Sequence, residues 1–261
     1  MMPGPSDTAD SVVDHGPLEA VEPRPPAQRR LAAIGEMAVC SGFPTQIALA
    51  ILFRTAGLPE VTSDGQISLP FVAVVSLADT ALLVGLMLWF LQASGQTGAQ
   101  LWLGTRPLLP EIVRGVLLTP LILASVGLLL LAIQQWAPQL HTVPVNPLEA
   151  LARKGPMQAA TLGVVAVVAG AIREELQRAF LVDRFERHVG PVWMGVVILS
   201  ALFGLGHLLQ GWDAAIATGV LGAYWAVIYV KRRSIVTPLV YHDDHLHVRL
   251  SPRRVNDPVA G

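Results

Sequence analysis

The sequence predicts an all-α fold, a polytopic bundle of transmembrane helices with six long membrane segments and a short seventh. Three observations carry this. Hydrophobic residues make up 52% of the chain and charged residues 14%, against roughly 25% charged in an ordinary soluble domain, so the chain must offer apolar faces to lipid. The apolar residues gather into runs that reach or approach the ~20 residues needed to span a bilayer as a helix. Trp89, Trp102, Trp136, Trp193 and Trp212 fall mostly near the ends of those runs, where indole rings favour the headgroup region, and only Trp225 lies well inside one.

Residues 1–30 are of another composition. Pro3, Pro5, Pro17, Pro23, Pro25 and Pro26 alternate with Asp7, Asp10, Asp14, Glu19 and Glu22, which leaves too little apolar surface to offset ordering entropy, so a disordered acidic tail is expected. It has neither the basic start nor the apolar stretch of a secretory signal peptide, and the first membrane segment is expected to serve as the address. The predicted segments are 31–53, 69–91, 112–136, 157–172, 192–209 and 214–230, with a short seventh at 235–246. Pro120 falls inside the third, where a kink is expected. Residues 31–248 are read as one membrane-embedded domain with its motifs between 157 and 247, and 249–261 as a flexible C-terminal tail.

Loop charges set the expected orientation, since short cytoplasmic loops are enriched in Lys and Arg. With the N-terminus cytoplasmic, the inner side receives Arg24, Arg29, Arg30, Arg106, Arg114, Arg173, Arg178, Arg184, Arg187, Lys231, Arg232 and Arg233. The outer side receives only Arg54, Arg153 and Lys154. A multi-pass protein of the cell membrane is the expectation, in contact with lipid. The net charge of -1 and the absence of a basic stripe argue against a nucleic-acid partner. Cys40 is the sole cysteine, so neither an intrachain disulfide nor a multi-cysteine zinc site is available.

Charge inside the apolar half is concentrated in Arg173-Glu174-Glu175-Leu176-Gln177-Arg178-Ala179-Phe180, at the end of the 157–172 run. Carboxylates at a membrane helix are costly unless paired, hydrated or used, which makes them functional candidates. On a helix Arg178 can reach either Glu174, four residues back, or Glu175, three back. The next segment carries Phe203-Gly204-Leu205-Gly206-His207, with His207 one turn beyond Phe203, and the short last one carries Pro238-Leu239-Val240-Tyr241-His242. Taken singly, each has a plainer reading: an ion-pair cluster capping a helix for Glu174, Glu175 and Arg178, a hydrogen-bonded core histidine for His207, a solvated one for His242. Glu36 and Asp79, acids within apolar segments, are read as interhelical hydrogen-bond partners.

In this order on consecutive segments, the motifs resemble the CAAX prenyl endopeptidase and bacteriocin-processing family of glutamate-dependent intramembrane proteases. That family has Glu-Glu followed by Arg, then Phe-x-x-x-His, then His-x-x-x-Asn, and the resemblance runs from about residue 157 to 242. It implies an intramembrane endopeptidase acting on a peptide or membrane-protein substrate without a cofactor. Glu174 and His207 would activate a water, His242 would donate to the oxyanion, and Glu175, Arg178 and Phe203 would support them. Two departures stand out: Arg178 follows the first Glu by four residues where the family has five, and Leu246 occupies the place of the third motif's Asn.

Other protease chemistries find no motif here. The chain has no His-Glu-x-x-His and no serine in a Gly-x-Ser-Gly or Gly-x-Ser-x-Gly setting, and Gly204-Leu205-Gly206 is followed by His207 where a membrane aspartyl protease has Asp. Two further readings stay open. Glu174, His207 and His242 would make a plausible zinc shell for a metal-dependent version of the same peptidase. Leu246 is compatible with a non-proteolytic scaffold or binding module that keeps the bundle.

Overall fold

A computed structural model describes residues 25–144 and 146–240 of the chain. The regular structure of the described residues is all helical, apart from an isolated bridge between Val61 and Ile67. Helices α1 (Pro26–Cys40) and α2 (Phe43–Thr55) occupy the first expected segment as a pair bent by 43°. The break has a local cause: Gly42 takes the left-handed conformation, φ 87°, and Pro44 follows in the first turn of α2, where a missing N–H costs nothing. Helix α3 (Leu69–Ala93) starts on the Ser68 hydroxyl, and the short α4 (Gly98–Trp102) on a reciprocal Thr97–Gln100 capping box. Helix α5 (Leu108–Trp136) carries Pro120 inside it. It buries Gly115, Thr119, Ile122, Val126 and Ile133 and exposes Leu117, Leu121, Leu128 and Leu131, a division suited to lipid on one side and protein on the other.

After the short α6 (Pro147–Ala152) comes the element on which the site depends. Helix α7 (Pro156–Val165), a π-helical stretch (Ala166–Arg173) and α8 (Glu174–His188) form one 33-residue helix. The helix that carries the apolar run 157–172 does not end with it but runs on through the charged motif and past Phe180. The physical reason lies in pairing, for Arg184 is 2% exposed yet bonded to Glu36 Oε2 at 2.7 Å, Gln96 Oε1 at 2.6 Å, the Ser94 hydroxyl at 3.0 Å and the Phe90 carbonyl at 3.2 Å. A buried cation so satisfied can sit inside a bundle, and here it ties α8 to α1 and to the end of α3.

Helix α9 (Val192–Leu205) has 14 residues and gives way to a 3-10 turn at Leu208–Gln210, after which α10 (Trp212–Arg232) runs back alongside it. Among the described residues four helices are long and apolar enough to cross a membrane, Leu69–Ala93, Leu108–Trp136, Pro156–His188 and Trp212–Arg232, and the bent pair α1–α2 makes a fifth if it counts as one span. Residues 236–240 open a further helical turn. Half of the expected seventh segment (241–246), residues 1–24 of the tail expected at 1–30, and the tail expected at 249–261 lie outside the described residues; the last five residues of the expected N-terminal tail, 26–30, are instead the first turn of α1.

Helices α9 and α10 approach through small residues. A Cβ at Gly204 would lie 2.5 Å from the Ala215 carbonyl oxygen and 3.0 Å from the Gly219 Cα, and one at Gly219 would lie 3.3 Å from the Ser200 carbonyl oxygen. Ser200 and Gly204 on one helix, Ala215 and Gly219 on the other, are each four residues apart, the small-x-x-x-small spacing that lets membrane helices pack backbone to backbone.

Candidate active site

Two helices meeting at a tight turn set the depth of the site. Helix α8 has 15 residues from Glu174 to His188, α9 has 14, and only residues 189–191 join them. At 1.5 Å per residue α8 is about 22 Å and α9 about 21 Å long. His207 lies just past the end of α9. Glu174 is well inside a long helix and not at its mouth.

Glu174 and His207 both line one cavity of about 350 Å3, together with Arg173, Phe203, Gln210 and Trp225. His207 is oriented by its own helix: its Nδ1 is 2.9 Å from the Phe203 carbonyl oxygen and its ring centroid 4.9 Å from that of Phe203. A carbonyl can only accept, so this bond assigns the proton of the neutral ring to Nδ1 and the lone pair to Nε2. The Phe203 ring itself has room because position 222 is glycine; a Cβ there would lie 2.9 Å from Phe203 Cδ1.

Of the two carboxylates within reach of Arg178, the structure pairs it with Glu175. Both are buried, at 7% and 1% exposure, and the guanidinium lies 4.7 Å from the Phe203 ring centroid and 4.9 Å from that of Trp225. Neither Glu175 nor Arg178 is among the cavity-lining residues. They form a charged and aromatic wedge that carries Phe203, and through it His207.

Glu174 has a different neighbour. Arg173 Nη2 is 3.6 Å from Glu174 Oε1, while Arg173 Nη1 donates to Asp79 Oδ2 on α3 at 2.6 Å and Nε to the Ala169 carbonyl at 3.1 Å. Asp79 is fully buried, and its Oδ1 has no hydrogen-bond partner among the described residues. The interhelical reading of Asp79 and Glu36 is met by Arg173 and Arg184. That Arg173 enters the cavity was not foreseen; an apolar-segment acid and an extra basic residue beside the motif were the only signals, 94 positions apart.

Asn146 and the short helix α6, through Leu148 and Glu149, contribute to the cavity wall. The segment between α5 and α7 is fastened by Asn146 Nδ2 to Gln210 Oε1 at 3.2 Å, by the Trp212 N–H to the Thr142 hydroxyl at 3.3 Å, and by His141 Nδ1 to Asp213 Oδ2 at 2.7 Å. His242, the third expected site residue, lies outside the described residues, as do Asp243, Asp244, His245 and Leu246. Among the described residues no three His, Cys, Asp or Glu side chains are grouped to hold a metal ion.

Fold and site together define a multi-pass helical membrane protein with a carboxylate, an imidazole and a guanidinium on one cavity. Residues 156–242 match the family described as Rce1-like, Type II CAAX prenyl endopeptidase Rce1-like, in agreement with the resemblance carried by the motifs. The family is one of CAAX-type proteases, with peptide or protein substrates. No curated protein and no solved structure matches the chain.

Proposed function

We propose that the chain is an intramembrane endopeptidase that hydrolyses a peptide bond with a water held between Glu174 and His207. One observation carries this: the two side chains, 33 positions apart in sequence, line the same cavity, and the hydrogen bond from His207 Nδ1 leaves Nε2 with its lone pair to accept. In the reaction the water oxygen bonds to the substrate carbonyl carbon while its proton passes to Glu174 or His207. The carbonyl electron pair moves onto oxygen; on collapse the C–N bond breaks and the amine leaves with the proton. General-base assistance of this kind contributes roughly two to four powers of ten.

Glu175, Arg178 and Phe203 are supporting residues in this reading, with His242 a donor to the oxyanion. The water is held by side chains directly, with no metal or other cofactor. A cavity walled by the α6 segment and by Phe203, Leu221 and Trp225 suits an apolar peptide or membrane-protein segment. The orientation with the N-terminus cytoplasmic follows from the loop charges, and α9 with the helix opening at 236–240 would complete six long segments and a short seventh.

Purified protein in nanodiscs, incubated with prenylated and unprenylated membrane-proximal peptides, should cleave at least one of them, and Glu174→Gln should not. Cleavage should continue in 1,10-phenanthroline; its loss, restored by zinc, would select the metal-dependent version. Equal product from Glu174→Gln would overturn the assignment. If the wild type binds such peptides without cutting any, the non-proteolytic binding module, which Leu246 favours, takes its place.

A further inference from the structure

Arg173 and Arg178 flank the same two glutamates, yet the structure uses them differently. Arg178 is spent on Glu175 and covered by aromatic rings. Arg173 borders the cavity in company with Glu174 and His207. Two of its five N–H groups are fixed, one by the Asp79 carboxylate and one by the Ala169 carbonyl, and these contacts turn the Nη2 end toward Glu174. At 3.6 Å that end is near Glu174 without a close hydrogen bond to it. A planar cation anchored at its back, with N–H groups facing the space beside a general base, has the form of an oxyanion donor.

We infer that Arg173 is the principal donor to the tetrahedral oxyanion and that Asp79, buried on α3, is the positioning residue that holds it there. The inference rests on the hydrolytic reading of the cavity. As water adds to the carbonyl carbon, the electron pair displaced onto the carbonyl oxygen is met by Arg173 Nη2, and it returns when the C–N bond breaks. Arg173 neither takes nor gives a proton. The arrangement answers the substitution at position 246, where Leu offers no donor, and it brings into the site Asp79, a residue of the N-terminal part of the chain, outside the family match.

The test uses the full chain in nanodiscs, with any peptide that the wild type cleaves and a phosphinic pseudopeptide whose tetrahedral anion mimics the oxyanion. Arg173→Gln should lower kcat by two to three powers of ten and change KM less than threefold. Arg173→Ala should recover at least tenfold in ethylguanidinium. Asp79→Asn should lower kcat, and combining it with Arg173→Gln should cost no more than Arg173→Gln alone. The phosphinate should bind Arg173→Gln at least tenfold more weakly than wild type, while its uncharged hydroxyethylene counterpart binds both alike. Wild-type kcat in Arg173→Gln would overturn the inference, as would a kcat loss without guanidinium rescue, or a phosphinate that binds both proteins equally or neither. If Glu174→Gln is inactive while Arg173→Gln is fully active, only this inference fails; if Glu174→Gln stays active, it is the hydrolytic reading that fails.

Discussion

At His207 a single carbonyl decides what the imidazole can do. Because Phe203 O accepts from Nδ1, a proton arriving from water has only Nε2 to go to, and the ring needs no carboxylate behind it to fix the tautomer. His207→Ala should then reduce kcat by at least two powers of ten, with circular dichroism showing the helix content of the wild type; near-normal turnover would remove His207 from the mechanism. The buried Glu175–Arg178 pair makes a contrasting prediction. Removing one partner strands the other, so Glu175→Gln should destabilise by about 3–5 kcal/mol, whereas Glu175→Leu combined with Arg178→Met should recover much of that, as read from thermal melting in nanodiscs. Residue spacing singled out Glu174, Glu175, Arg178, Phe203 and His207, of which Glu174, Phe203 and His207 line one cavity. It could not say which carboxylate Arg178 takes, since positions three and four apart are equally reachable on a helix. Nor could it join Arg173 to Asp79, a contact made only by tertiary packing.

Among the elements, the α9–α10 pair is the one whose packing the site cannot do without. Gly204 lies one residue after Phe203, and a side chain there would press on the Ala215 carbonyl and Gly219, pushing apart the helices that present Phe203, His207 and Trp225. Gly204→Val should cost about 1–3 kcal/mol by overpacking and lower activity along with it, whereas Gly127→Ala, where an added Cβ meets nothing within 4 Å, should leave both unchanged. Melting and cleavage measured side by side check this. The apolar runs located every long helix, but near the motifs their ends do not mark the helix ends. The run stops at residue 172, where charge begins, though Glu175, Arg178 and Arg184 are paired and enclosed inside a helix that continues to His188. In the first segment the opposite happened: residues 31–53 were read as one span across Ser41-Gly42-Phe43-Pro44, where the helix breaks.

Over the whole molecule, the basic residues collect at one end. Glu111 on α5 is paired with Arg114 and Arg232 and accepts from the Thr237 hydroxyl, and Glu186 holds Arg233 with two bonds of 2.6 and 2.8 Å. These contacts lock α5, α8 and α10 together on the side that carries Arg106, Arg187 and Lys231. The opposite side bears Arg153, Lys154 and the α6 segment that lines the cavity. An impermeant maleimide applied to intact cells, in a Cys40→Ala background, should therefore label Arg153→Cys, while Ser6→Cys and Arg187→Cys react only after permeabilisation. The reverse pattern would invert the topology. Composition alone was enough to announce the membrane, because a chain with so few charges has no other way to be covered. The bundle's internal arrangement was not, because lipid-facing and protein-facing leucines look alike in sequence.

The π-helical stretch Ala166–Arg173 sets an azimuth. Each residue of an α-helix turns the chain by 100°, and winding from i→i+4 to i→i+5 bonding takes up extra chain within a turn. Deleting one residue from this stretch would rotate Leu162 and Val165, which line the cavity, about the helix axis, while Glu174 and everything fastened to α9 kept their places. The long helix is thus two rotors on one shaft, one bearing the proposed general base and the other the wall a substrate would touch. Their relative angle can be reset by a single-codon insertion or deletion ahead of Ala169, whose carbonyl holds Arg173, so what the cavity accepts is free to diverge without disturbing the groups that would act on it.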